Sequence, residues 1–152
     1  MDDADDLAAL ELQLGRAPHP IAAVVCRCPA GRPVAVEQPA ATAAGEPFPT
    51  AFWLTCPGLV RAVSRLEGDG GVRALEQRVA ADTELAAGLA EAQERHRRLR
   101  PGFGIGGVRN PAAVKCLHAH VAFALGAPPY PLGEAVLAEA GGIPAVCCME
   151  RP

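Results

Sequence analysis

Ten side chains in this sequence belong to types that ligate soft metals or act as nucleophiles: Cys26, Cys28, Cys56, Cys116, Cys147, Cys148, His19, His96, His118 and His120. Thiolates and neutral imidazoles are the usual ligands of zinc, and thiolates those of iron–sulfur clusters. A thiolate is also a nucleophile when its surroundings favour the charge. The stretch "CRCPAGR" at residues 26–32 raises both chemistries. Cys26 and Arg32 have the spacing of a thiol phosphatase loop, which requires a helix N-terminus aimed at the phosphate. Here Arg32 is followed by Pro33 and by "VAVE", which alternates as a strand does. Pro29 also stands where that loop usually carries glycine. The stretch therefore reads as a hairpin turn holding two cysteines.

Metal ligation makes different demands. Cys26 and Cys28, two apart in extended chain, point to opposite faces unless the Pro29 turn relaxes the strand. Cys56 precedes Pro57, a residue suited to the first turn of a helix. Cys116, His118 and His120 fall within a helix expected to start at Asn110–Pro111. Two residues apart on a helix is a rotation of roughly 200°, so Cys116 and His118 diverge, whereas Cys116 and His120 share a face. The bland alternative is that small, apolar-like cysteines fill the core.

Other motifs read as structure. "GFGIGGV" at 102–108 lacks the Lys-Ser/Thr of a phosphate loop and reads as a flexible connector. "RHRRLR" at 95–100 is a basic helix end with a solvated face that includes His96, with Glu91 and Glu94 able to pair with Arg95 and Arg98. His19 lies between prolines and is expected to be exposed. Cys147 and Cys148 are expected to be incidental.

The elements that must position these residues follow from periodicity. "ADDLAALELQL" is a helix with Leu7, Leu10 and Leu14 on one face. "IAAVVCRC" and "PVAVE" form a hairpin, and "AFWLTC" is a short strand or extended segment. Helices follow from Pro57 to the "GDGG" stop, over "VRALEQRVAA", from the Asp82 cap to Pro101, over "AAVKCLHAHVAFAL" and over "LGEAVLAEA". The class is α+β: a mainly helical single domain over 1–142 with a small N-terminal β-hairpin and about five helices, followed by an irregular tail over 143–152.

Composition narrows the function. Half the residues are apolar and the net charge is −3, which gives no reason to expect a nucleic-acid partner. No apolar run approaches a membrane span. The N-terminus is acidic where a secretory leader is basic. These features predict a cytoplasmic protein, in which six cysteines are not routine disulfides.

Three segments together resemble the DUF501 family, small uncharacterised proteins chiefly of actinobacteria: "LQLGRAPHPIAAVVCRCPAGRPVAVEQP", "GEPFPTAFWLTCPGLVRAVSRLEGDGGVRALE" and "GIGGVRNPAAVKCLHAHVAFALG" with "PLGEAVL". The family pattern maps onto Arg27-Cys28-Pro29 with Gly31, onto Thr55-Cys56-Pro57, and onto Lys115-Cys116-Leu117-His118. Members often carry His in place of Cys26 and a second cysteine in place of Ala30. Cys147, Cys148 and His120 lie outside the pattern, so the resemblance favours His118 where helix geometry favours His120.

Residues and resemblance together lead to three expectations. The first is a metal-binding protein in which Cys28, Cys56 and Cys116 converge from three segments, with His118, His120 or Cys26 as fourth ligand. Zinc is preferred, and an iron–sulfur cluster is the alternative. The second is a metal-free thiol enzyme, with Cys28 or Cys56 as nucleophile and Arg27, Arg61 or Lys115 binding an anionic substrate. The third is a non-catalytic interaction module with core cysteines. A protein partner or a small anionic ligand fits these readings.

Overall fold

A computed structural model describes residues 3–146 and residue 148. Its elements are α1 (Asp3–Leu14), β1 (Ala23–Arg27), β2 (Pro33–Glu37), β3 (Phe52–Leu54), α2 (Pro57–Gly68), α3 (Gly71–Ala81), α4 (Thr83–Leu99), α5 (Leu117–Gly126) and α6 (Pro131–Glu139). A single 3-10 turn spans Ile105–Gly107. The fold is α+β and mainly helical, with one small antiparallel sheet in the order β1-β2-β3.

The "CRCPAGR" segment turns the chain back on itself. The Gly31 amide donates to the Cys28 carbonyl at 2.8 Å, and the Cys28 amide donates to the Arg32 carbonyl at 2.9 Å. The pairing slips at Cys26, between Val24↔Val36 and Arg27↔Pro33. Such an irregularity releases Cys26 and Cys28 from strict alternation. Strand β2 begins directly after Arg32, so the loop does not run on into a helix as the phosphatase motif requires, and that reading fails as expected. Strand β3 pairs with the other edge of β2, through Ala35↔Leu54 and Val36↔Trp53.

Val34, Ala35 and Val36 of β2 have no solvent exposure, so the central strand is buried on both faces. Helices α1 and α5 both contact it. Helix α5 also packs on β1, β3 and α6. Six of its residues, Leu117, His120, Val121, Ala122, Phe123 and Ala124, are buried, as a helix apolar on nearly every side must be. Close approach of α6 depends on Gly133: a Cβ there would lie 2.6 Å from the His120 carbonyl oxygen and 2.9 Å from Ala124 Cβ.

Two solvated or flexible segments of the sequence reading are packed in the structure. Asp82 caps α4 as expected, accepting from the amides of Glu84 at 2.9 Å and Leu85 at 3.2 Å. The basic end of α4, however, turns inward. His96 is buried, its Nδ1–H donates to the Phe103 carbonyl at 2.8 Å, and its Nε2 accepts from the Ala51 amide at 3.1 Å. Arg95 donates to the carbonyls of Ala127 and Pro129 and lies over the Phe123 ring. Arg100 is buried against the carbonyls of Gln38 and Pro39. Guanidinium donors satisfying buried carbonyls explain why a charged helix end is not a solvated face. The glycine-rich loop is likewise fixed: Gln93 of α4 accepts from the Ile105 amide at 2.6 Å, and a Cβ on Gly104 would collide with Gln93 Oε1. His19 is half-buried rather than exposed, stacked between Phe48 at 5.1 Å and Trp53 at 5.5 Å.

Among the described residues no helix is long and apolar enough to cross a membrane.

Candidate metal centre

The helix expected from Asn110 starts seven residues later, at Leu117. Asn110 closes only a local turn, accepting from the Ala112 amide at 3.0 Å. Lys115 then breaks the chain direction with φ +64, the one non-glycine residue among those described to have positive φ. The Cys116 amide donates back to the Val114 carbonyl at 2.7 Å, closing a γ-turn of the rare, strained hand around Lys115. Cys116 thus becomes the N-cap of α5, with extended φ −143 and ψ 116.

This correction reverses the pairing expected on a continuous helix. Cys116 does not share a helical face with His120. Its sulfur instead approaches His118 Nδ1 at 3.8 Å. His120 has no solvent exposure, and both ring nitrogens are engaged: the Tyr130 hydroxyl donates to Nδ1 at 2.7 Å, and Nε2–H donates to the Val114 carbonyl at 3.1 Å. Burial drives the His120 pKa down to about 4, so the ring is neutral. Since Val114 O also receives the Cys116 amide, His120 braces the strained turn instead of ligating.

Glu67, in the last turn of α2, completes a group that the sequence reading missed. Its Oε1 accepts the Leu117 amide at 2.8 Å and lies 3.0 Å from His118 Nδ1. One ligand atom each from Glu67, Cys116 and His118 falls within 4.8 Å of the others, a group able to hold a metal ion, and all three residues are half-buried. The signal for Glu67 was present in the chain. A carboxylate in the last turn of a helix opposes the macrodipole, so it calls for a partner.

The far side of the His118 ring fixes its tautomer. Nε2 lies 3.2 Å from the Val60 carbonyl and 3.1 Å from Ser64 Oγ. A carbonyl only accepts, so Nε2 carries hydrogen and Nδ1 is the atom turned to Cys116 and Glu67. The Cys116 sulfur at Nδ1, together with the Glu67 charge and the Val60 carbonyl, outweighs burial and pushes the His118 pKa up to about 9. The surroundings therefore favour positive charge at Nδ1.

The remaining expected ligands lie elsewhere. Among the described residues, the group of three within 4.8 Å contains Cys116 but neither Cys28 nor Cys56, so the three-thiolate convergence does not form. The reason is the length of α2. Cys56 caps its N-terminus, while Glu67, beside Cys116, sits roughly 16 Å further along the axis. Cys28 and Cys56 are buried in the core, and half-buried Cys26 is close enough to both that, after its own burial, their charges raise its pKa. Cys147 lies outside the described residues. Cys148 is half-buried, and its sulfur accepts from Gln13 Nε2 at 3.4 Å. Of the candidate anion-binding residues, Arg27 is held by a two-pronged ion pair to Asp6, both contacts at 2.8 Å, and ties α1 to the hairpin. Lys115 and Arg61 are exposed. Lys115, Cys116 and His118 line a cavity of about 300 Å³ together with Gln38, Thr50 and Trp53.

No curated protein and no solved structure matches the chain. A family model described as "Protein of unknown function (DUF501)" matches residues 24–103 and 98–138, a span that takes in Glu67, Cys116 and His118. The chain therefore belongs to the DUF501 family.

Proposed function

We propose that the protein binds one divalent transition-metal ion, zinc by preference, through the Glu67 carboxylate, the Cys116 thiolate and His118 Nδ1. The observation that carries this reading is the meeting of three different ligand atoms at the start of α5. Zinc bond lengths near 2.0–2.3 Å put tetrahedral ligand atoms about 3.3–3.8 Å apart. The distances from His118 Nδ1 to Glu67 Oε1 and Cys116 Sγ are 3.0 and 3.8 Å, near that range. The hydrogen bond from His118 Nε2–H to the Val60 carbonyl is the outer contact that orients a ligating imidazole. One thiolate is too few for an iron–sulfur cluster, which takes cysteines at most of its iron sites.

Three protein ligands leave a coordination position for water or substrate, the arrangement of catalytic rather than structural zinc. The 300 Å³ cavity along Cys116 and His118 gives that position access. A second reading, a metal-free thiol enzyme, draws on the same Cys116–His118 contact at 3.8 Å. It moves the nucleophile from Cys28 or Cys56, both buried, to half-buried Cys116. Metal analysis of anaerobically purified protein separates the two. About one zinc per chain, lost in Cys116→Ser, supports the metal reading. Metal-free protein with Cys116 labelled fastest by iodoacetamide supports the thiol reading and overturns the metal one.

A further inference from the structure

A second cavity, of about 560 Å³, opens on the other side of Trp53 and Leu54, between the end of α1, β3 and the first two turns of α2. Its wall is largely apolar, from Leu14, Trp53, Leu54 and Val60, and Ser64 and the candidate ligand His118 also line it. Ser64 and His118 are bonded to each other at 3.1 Å, but two other polar atoms of the lining residues lack partners among the described residues. Thr55 lines the cavity at 2% exposure, and its hydroxyl oxygen has no hydrogen-bond partner. Gln13 Oε1 is buried there without a donor, although Gln13 Nε2 is bonded to the Pro33 carbonyl. Such groups cost free energy in an empty protein and are rare in native folds.

The electrostatics of the site have one sign. Helix α2 starts at Pro57, has no side-chain cap and carries no acidic residue in its first turn. The amides of Gly58 and Leu59 behind Pro57 find no acceptor among the described residues, although neither residue lines the cavity. Unfilled amides at the positive end of a helix attract an anion. Arg61, one turn in, lines the same cavity and makes no ion pair among the described residues. Its guanidinium presents the fork geometry that suits carboxylate and phosphate oxygens.

We propose that this cavity binds a small organic anion, a carboxylate or phosphate monoester with a flat or apolar body. The anionic group meets Arg61 and the Thr55 hydroxyl, beside the start of α2, while the body lies against Trp53. A hydrogen-bond donor on the body satisfies Gln13 Oε1. An apolar wall with a few convergent polar groups is the usual form of a small-molecule site.

Trp53 is the only tryptophan in the chain and lines both cavities, so its fluorescence reports binding, and Arg61, which lines only this one of the two, assigns it. Full-length protein treated with EDTA is titrated with phenyl phosphate, benzoate and inorganic phosphate, with benzyl alcohol as the neutral control. The removal of metal keeps a bound ion off His118, which lines this cavity as well as the candidate centre, so binding is read on metal-free protein whether or not the chain takes zinc. Saturable quenching by phenyl phosphate or benzoate, weakened about tenfold or more in Arg61→Ala, is expected. The better of those two ligands identifies the anionic group. Thr55→Val is expected to weaken binding while raising Tm, because it removes a buried hydroxyl that the free protein leaves unpaired. The proposal is overturned if neither aromatic anion saturates, if benzyl alcohol binds as well as they do, or if a folded Arg61→Ala protein binds them unchanged. Saturable binding of inorganic phosphate alone, untouched by Arg61→Ala, also overturns it as an adventitious ion only.

Discussion

Lys115 carries the local tension of the candidate centre. Its φ of +64 is unfavourable for a side chain with a Cβ and is needed to bring Cys116 out of helical phase and beside His118. Lys115→Gly should therefore keep the turn and stabilise the metal-free protein by about 0.5–1 kcal/mol in urea unfolding, after glycine's own entropy cost. Zinc affinity should stay within a few-fold. A destabilised variant would mean that the contact of Lys115 Nζ with the Gly106 carbonyl, at 3.3 Å, outweighs the strain. At this scale the sequence singled out Cys116 and His118, which the structure brings together, but paired Cys116 with His120, because one γ-turn is invisible to helical periodicity. Glu67 signalled the need for a partner, but the partner was hidden for a related reason. Its partner, the Leu117 amide, exists only once the helix begins at Leu117.

The helices and strands were more legible than the loops between them. Alternation in "PVAVE", the Asp82 cap and the Pro57 start all predict elements that form, since each is a local signal. Burial of the α4 end was not legible. The groups that receive Arg95 and Arg100 lie 32 and 62 residues away, at Ala127 and Gln38. Nor was the tight packing of the loop at Gly104, which depends on Gln93. Contact between α5 and α6 gives a test at this scale. Gly133→Ala would press a methyl onto the His120 carbonyl at 2.6 Å, a backbone atom with little room to yield. The expected cost is about 1–3 kcal/mol, read as a lower urea midpoint with an unchanged m-value. A neutral result would show that α6 is free to move away from α5.

For the whole molecule, opposed histidine shifts set the response to pH. The unfolded chain protonates its histidines near 6.5, whereas folded His120 resists protonation down to about 4, and burial lowers His96 in the same direction. Stability therefore falls as pH drops from about 6.5 to about 4, by about 1.4 kcal/mol per pH unit for each group fully in its window. His118 acts oppositely. Its folded pKa of about 9 contributes stability that is complete below about 6.5 and is lost as pH rises through 9. Metal-free protein should thus show a urea midpoint that peaks near pH 6.5 and declines on both sides. A profile rising steadily to pH 9 would contradict the assignment of His118. Zinc should stabilise by mass action, by about 2.7 kcal/mol at a hundred times Kd. The most direct test is zinc affinity, measured by competition with a chromophoric chelator, across two sets of variants. Cys116→Ser and Glu67→Gln are predicted to weaken zinc by about tenfold or more, while Cys28→Ala and Cys56→Ala leave one zinc bound with unchanged affinity. Loss of zinc in the Cys28 and Cys56 variants, with Glu67→Gln unaffected, would contradict the centre described at the start of α5.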